Sequence, residues 1–233
     1  MKREKFSATL SKLAYLSEED IKKELPKYGF QFQKFFSFEQ LQGFICECDE
    51  GQVLTFRGSE MKLNDWKANF DIRLKDTFIG NVSEGYYDIL EESCGYIVKY
   101  ITDANILLTG HSCAAAYSGI FSKMLDEVYG FNTKCIVFEP PRYTDTHHFN
   151  DKVFYTINSA DIIPRFPLKL MDRRHTGTLI YFNRKGKARE NTRFIARLMN
   201  FILDVDDIIK DHDIEDVEKL WFKNWDRIEK ILK

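Results

Sequence analysis

The stretch Asn105-Ile-Leu-Leu-Thr-Gly-His-Ser-Cys-Ala-Ala-Ala-Tyr-Ser-Gly119 decides how this chain is read. Its apolar run Ile106-Leu107-Leu108-Thr109 has the length and character of a buried strand. Gly110-His111-Ser112-Cys113-Ala114 makes a tight corner, and Tyr117, Ile120, Phe121, Met124 and Leu125 follow at helical spacing. A serine at such a strand-to-helix corner is held in strained geometry with its hydroxyl exposed, and small neighbours let the chain turn sharply. The corner also sets the serine at a helix N-terminus, where backbone N–H groups favour negative charge. These are the requirements of a nucleophile elbow, and the pentapeptide departs from them only at Ala114, where a last glycine is expected. The competing reading is a serine that caps a core helix.

Bulk properties narrow the class. A chain of 233 residues suits one domain with a sizeable core, and no shift in composition marks a second, so residues 1–233 read as a single domain. Hydrophobic content of 44% with 30% charged residues is that of a soluble globular protein. The net charge of −2 advertises neither nucleic acid nor a strongly charged membrane. The aromatic run Phe30, Phe32, Phe35, Phe36 and Phe38 reads as a core or pocket wall. Five cysteines, odd in number and without CxxC spacing, read as free thiols in a reducing compartment. Met1-Lys2-Arg3-Glu4-Lys5 leads into no apolar h-region, and no segment reaches spanning length. The chain therefore reads as cytoplasmic, with release by a signal-independent route left open.

The periodicity predicts a mostly helical segment over Phe6–Leu25, with a start at Ser17-Glu18-Glu19-Asp20 and a stop at Pro26. It predicts a hairpin from Gly43–Cys48 and Gln52–Phe56 about Asp49-Glu50-Gly51, then a helix over Tyr86–Ile101. Further strand-like runs follow at Lys134–Phe138, Val153–Ile157 and Thr178–Phe182. Two amphipathic helices close the chain, one carrying Phe194, Ile195, Leu198, Met199 and Ile202, the other running from Ile214 to Ile231. Strands that alternate with helices give a mostly parallel central sheet flanked by helices, with ligands at the strands' C-terminal ends.

A serine nucleophile needs a base, and the base needs an orienting acid. In this type of sheet the chain order is serine, acid, histidine. Asp161, just past the strand Val153–Ile157, is the acid that stands out, and its competing role is to cap the next turn. His147 and His148 precede it, whereas His175 and His212 satisfy the order. His212 lies on a loop before the last helix, for which Asp213 is a natural N-cap. The oxyanion of acyl transfer needs two donors. The backbone N–H of Cys113 is one, and Ser59 in the strand-ending turn Phe56-Arg57-Gly58-Ser59-Glu60 is the other candidate.

Together these segments resemble the class 3 lipases, an α/β-hydrolase family that includes the fungal triacylglycerol lipases. The likeness runs from about Gln52 to Leu220. It rests on Phe56-Arg57-Gly58-Ser59 with Asn64-Asp65-Trp66, on Gly85-Tyr86, and on Thr109-Gly110-His111-Ser112. It continues through Phe138 to Arg142, Asp161 to Pro167, His175-Thr176-Gly177 and Asp211-His212. The resemblance implies an α/β-hydrolase fold with Ser112 as nucleophile, Asp161 as acid, His212 as base and Ser59 and Cys113 as the oxyanion hole. It makes His175 structural, puts Trp66 in a lid and implies a lipid or other ester substrate. The lid segment Glu60–Gly80 mixes charged and apolar residues, which suits a cover over a pocket, transient contact with a lipid surface, or equally an ordinary surface helix with a core-facing stripe. No metal or organic cofactor is implied. The chain departs from the family in having Cys113-Ala114-Ala115 where Leu-Gly-Gly is usual, Val82-Ser83 for Val-His, and Glu139 where a glycine is common. The absent disulfide framework suggests an intracellular bacterial or viral relative. The expectation is a serine hydrolase of carboxylic esters; the rival is a scaffold that keeps the fold and has lost turnover.

Overall fold

The computed structural model describes residues 1–38, 41–58, 73–159, 161, 163–165, 173–191 and 212–233. Its strands are β1 (Gln31–Ser37), β2 (Gln42–Cys48), β3 (Gly51–Phe56), β4 (Leu74–Thr77), β5 (Gly80–Ser83), β6 (Asn105–His111), β7 (Asn132–Phe138), β8 (Val153–Asn158), β9 (Thr178–Phe182) and β10 (Ala188–Glu190). Its helices are α1 (Lys2–Lys5), α2 (Ser7–Leu13), α3 (Glu18–Glu24), α4 (Glu84–Ile97), α5 (Cys113–Tyr129), α6 (Ile214–Lys223) and α7 (Trp225–Leu232). Among the described residues, eight strands form one sheet in the order β1-β2-β3-β6-β7-β8-β9-β10. The central β3, β6, β7, β8 and β9 are parallel, and antiparallel strands close both edges. This is the α/β-hydrolase architecture, a mostly parallel sheet covered by helices.

The central strands are apolar on both faces because both faces are covered, as parallel sheets require. Along β7 the side chains alternate between two cores. Cys135 and Val137 pack with Tyr117, Ile120, Phe121 and Leu90 from α4 and α5. Ile136 and Phe138 pack with Leu10, Ile21, Val217 and Trp221 from α2, α3 and α6. That alternation is the period of two of a pleated strand. The N-terminal segment is tied to the sheet centre where Ser11 and Thr109 share a hydroxyl–hydroxyl bond of 2.9 Å.

Several elements differ from the sequence expectation for identifiable reasons. The run Phe30–Phe38 contains an edge strand, β1, whose register against β2 shifts between Phe32 and Lys34 and so hides its alternation. The helix start expected at Ser17 is found there, its hydroxyl accepting the Asp20 N–H to open α3, and only the stop differs, since a 3₁₀ turn carries the chain through Pro26 to Tyr28. The helix expected from Ile214 to Ile231 is two helices meeting at Asn224. The Asn224 amide donates to the Gly186 carbonyl and accepts the Ala188 N–H, which pins the junction to the β9–β10 hairpin. The expected helix carrying Phe194 to Ile202 lies outside the described residues. No helix among the described residues is long and apolar enough to cross a membrane. All five cysteines are free thiols.

Candidate active site

Ser112 sits between β6 and α5 with φ 60° and ψ −127°, a conformation that L-residues rarely adopt. Its N–H donates to the Phe138 carbonyl at 2.9 Å, so the corner is clamped to the end of the neighbouring strand. The turn fits because Gly110 has no side chain: a Cβ there would lie 2.6 Å from the Ala114 carbonyl oxygen and 2.9 Å from the Ala114 Cβ. Ala114 in place of glycine is therefore accommodated because the residue it faces, Gly110, has no side chain. Cys113 opens α5, the helix end where partial positive charge gathers.

Ser112 and His212 meet across 100 positions of sequence. The Ser112 hydroxyl oxygen lies 2.9 Å from His212 Nε2, and His212 Nδ1–H donates to Asp161 Oδ2 at 2.8 Å. Asp213 caps α6 by accepting the Glu215 N–H, which fixes the exit of the histidine loop. Asp161 is fully buried, and its other oxygen accepts the Ile163 N–H at 2.9 Å. Arginine and histidine side chains hold its loop in place. Arg165 Nε donates to the Asp161 carbonyl, Arg142 to the Arg165 carbonyl, and His175 Nε2 to the Pro164 carbonyl at 2.6 Å. His175 also stacks on Tyr155 with ring centroids 4.8 Å apart. Of the two histidines in the right chain order, the structure joins His212 to Ser112 and His175 to the acid loop.

Sequence reasoning assigned no role to Glu139. This residue follows β7, is fully buried, and has φ 54°. Its Oε2 lies 3.2 Å from His212 Nδ1 and 3.3 Å from His111 Nε2. The Tyr15 hydroxyl and the other nitrogen of His111 share a hydrogen bond of 2.9 Å. The two imidazoles lie 4.7 Å apart, ring centre to ring centre. The available signal was a single acid directly after a buried apolar strand, at the sheet edge that carries Ser112: the register pairs His111 with Phe138, so the next residues are neighbours.

Charge in this cluster is strongly shifted. Burial opposes a charged His212, but the Asp161 carboxylate beside it, and then Glu139, outweigh that and raise it above its ordinary value. Burial and then the Asp161 charge hold Glu139 well above the usual carboxylate range. Burial, and then the charge on His212, hold His111 well below its ordinary value. Among the described residues, donor atoms of His111, Glu139 and His212 lie within 4.8 Å of one another. Each of these atoms already lies within hydrogen-bonding distance of another member, so the trio reads as an acid–histidine cluster rather than a ligand set.

Ser59 and Trp66 lie outside the described residues. The residue before Ser59 is placed, and it abuts the elbow: a Cβ on Gly58 would lie 2.7 Å from the His111 carbonyl oxygen and 2.2 Å from the Tyr15 hydroxyl.

Comparisons with known proteins reach the same fold. The family model for Lipase (class 3) matches residues 53–171. A mono- and diacylglycerol lipase from Aspergillus oryzae is similar with a TM-score of 0.65 and 18% identity, over 81% of this chain and 80% of that one. The native Rhizomucor miehei lipase propeptide complex gives a TM-score of 0.64 and 15% identity, over 80% of this chain and 69% of that one. Lipase II from Rhizopus niveus gives 0.62 and 15%, over 76% and 78%. No curated protein matches in sequence.

Proposed function

The chain belongs to the class 3 lipase family, and on that premise we propose that it hydrolyses carboxylic esters of lipids through an acyl-serine intermediate. The observation that carries this reading is the hydrogen-bonded line from Ser112 through His212 to Asp161, with contacts of 2.9 and 2.8 Å. Each group then has a role. His212 Nε2 takes the Ser112 proton as Oγ attacks the ester carbonyl, and returns it to the leaving alcohol. Asp161 holds the imidazole in the tautomer that presents a bare Nε2, and stabilises the charged ring. Water, activated by the same nitrogen, releases the acid. The Cys113 N–H and Ser59 would share the oxyanion, and losing one such donor costs roughly 10²–10³ in turnover. The packing of Gly58 against the elbow supports Ser59 in that role. Trp66 would belong to a lid over the acyl chain.

The nature of the structural neighbours supports a lipid ester as substrate, the one from Aspergillus oryzae being a mono- and diacylglycerol lipase. The test is a panel of glycerides and soluble esters of graded chain length, presented with and without a lipid interface. Turnover that rises with chain length and vanishes in Ser112→Ala is the expected result. Equal rates for wild type and Ser112→Ala would leave the fold as a binding scaffold.

A further inference from the structure

Asp161 is not the sole carboxyl at His212. Glu139 Oε2 lies 3.2 Å from Nδ1, the nitrogen that Asp161 Oδ2 engages at 2.8 Å. The two acids arrive from different places, Asp161 from the loop after β8 and Glu139 from the end of β7. The groups facing Glu139 are Asp161, His212 from the loop before α6, and His111 from the end of β6, itself bonded to Tyr15 beyond α2.

Glutamate is a costly residue here. A non-glycine residue in the left-handed region is strained, and Glu139 has φ 54°. The carboxyl is also fully buried, and its Oε1 has no hydrogen-bond partner among the described residues. Glycine would avoid both costs. What the side chain gains in return is its pair of histidine contacts, and one of those histidines is the base that would serve Ser112.

Two carboxylates this close do not both ionise readily, so one proton is shared across the cluster. Of the two acids, Glu139 is the one whose carboxyl is pushed up, first by burial and then by the charge on Asp161.

We infer that Glu139 is a second positioning acid for His212, one that holds the ring in parallel with Asp161 and takes over as the orienting carboxylate when Asp161 is removed. This rests on the hydrolase reading above. Without Asp161 the like charge is gone, Glu139 ionises more readily, and Nδ1–H has an acceptor already within reach.

The test is NMR titration of His212 in the full chain, labelled with ¹⁵N-histidine, in wild type, Glu139→Gln, Asp161→Asn and the double variant. The rate of Ser112 labelling by a fluorophosphonate is measured on the same samples. The Asp161→Asn side chain keeps an oxygen that can accept the Ile163 N–H, so the loop has its turn. In Asp161→Asn, His212 should still titrate above the ordinary 6.5, and in the double variant it should not. The labelling rate should fall by no more than about 10² in Asp161→Asn and by about 10⁴ in the double variant, the loss expected of a triad without its acid. Glu139→Asp in the Asp161→Asn background should retain part of the labelling that Glu139→Gln removes. Coincident titrations for Asp161→Asn and the double variant would overturn the inference. Should Asp161→Asn not fold, Glu139→Gln alone decides: His212 titrates lower than in wild type, or the inference fails. A wild type that does not label overturns the hydrolase reading, while the NMR titration still judges Glu139.

Discussion

Gly110→Ala is the sharpest perturbation of the elbow that leaves every chemical group in place. The added Cβ would lie 2.6 Å from the Ala114 carbonyl oxygen, 2.7 Å from its carbonyl carbon and 2.9 Å from its Cβ. Carbon atoms pack at about 3.5–4.0 Å, so the first turn of α5 and the end of β6 must separate by about 0.8 Å. Two of the three obstacles are backbone atoms and have no rotamer to change. Overpacking of this kind costs about 1–3 kcal/mol. The same displacement acts on Ser112, which stands between the two elements and whose hydroxyl lies 2.9 Å from His212 Nε2. Moving it by about 0.8 Å takes the pair past hydrogen-bonding range, and a misplacement near 1 Å costs about 10²-fold in rate. Urea unfolding and fluorophosphonate labelling of wild type and variant measure the two effects. Ala114→Gly in the same chain removes only the Cβ contact and adds about 1 kcal/mol of helix cost, so it should not restore either one. A Gly110→Ala protein with wild-type midpoint and labelling rate would refute the close approach, and full rescue by Ala114→Gly would refute the backbone as the obstacle.

Two further outcomes follow from the histidines. His175→Ala should label within about threefold of wild type while losing about 1–3 kcal/mol of stability, since the Pro164 carbonyl is left without its donor; the opposite pattern would exchange the roles of His175 and His212. His111 is held neutral in the folded protein, first by burial and then by the charge on His212. Its folded value is depressed, so the unfolded chain binds a proton below 6.5 that the native state refuses, and stability falls as pH drops through that value. In His111→Gln the fall between pH 6.5 and 5.5 should be smaller by up to about 1.4 kcal/mol, read from urea midpoints, and an unchanged slope would show that His111 titrates freely.

The parallel core was legible because each central strand is a short apolar run bounded by turn residues, and β6 and α5 are separated by a corner of small side chains. The edges were harder. Short β4 and β5 give too few residues for a period, and the register shift in β1 breaks its alternation. The break at Asn224 depends on partners 36 and 38 positions away in Ala188 and Gly186, which no local pattern announces. At the site, chain order and loop position were enough to single out Ser112, Asp161 and His212 as candidates, and the structure brings these three together. Order could not separate His175 from His212; the Pro164 carbonyl does. Glu139 was visible as an acid where glycine is usual, but its reach to His212 depends on the register of β6 against β7, which sequence does not carry.

The proposed chemistry requires Ser112 to be an activated nucleophile. Intact-mass and peptide-mapping analysis after exposure to a fluorophosphonate tests that most directly. The expected result is a single covalent adduct, mapped to Ser112, that is absent from Ser112→Ala and nearly absent from His212→Ala. An unlabelled wild type, or an adduct that persists in Ser112→Ala, would contradict it.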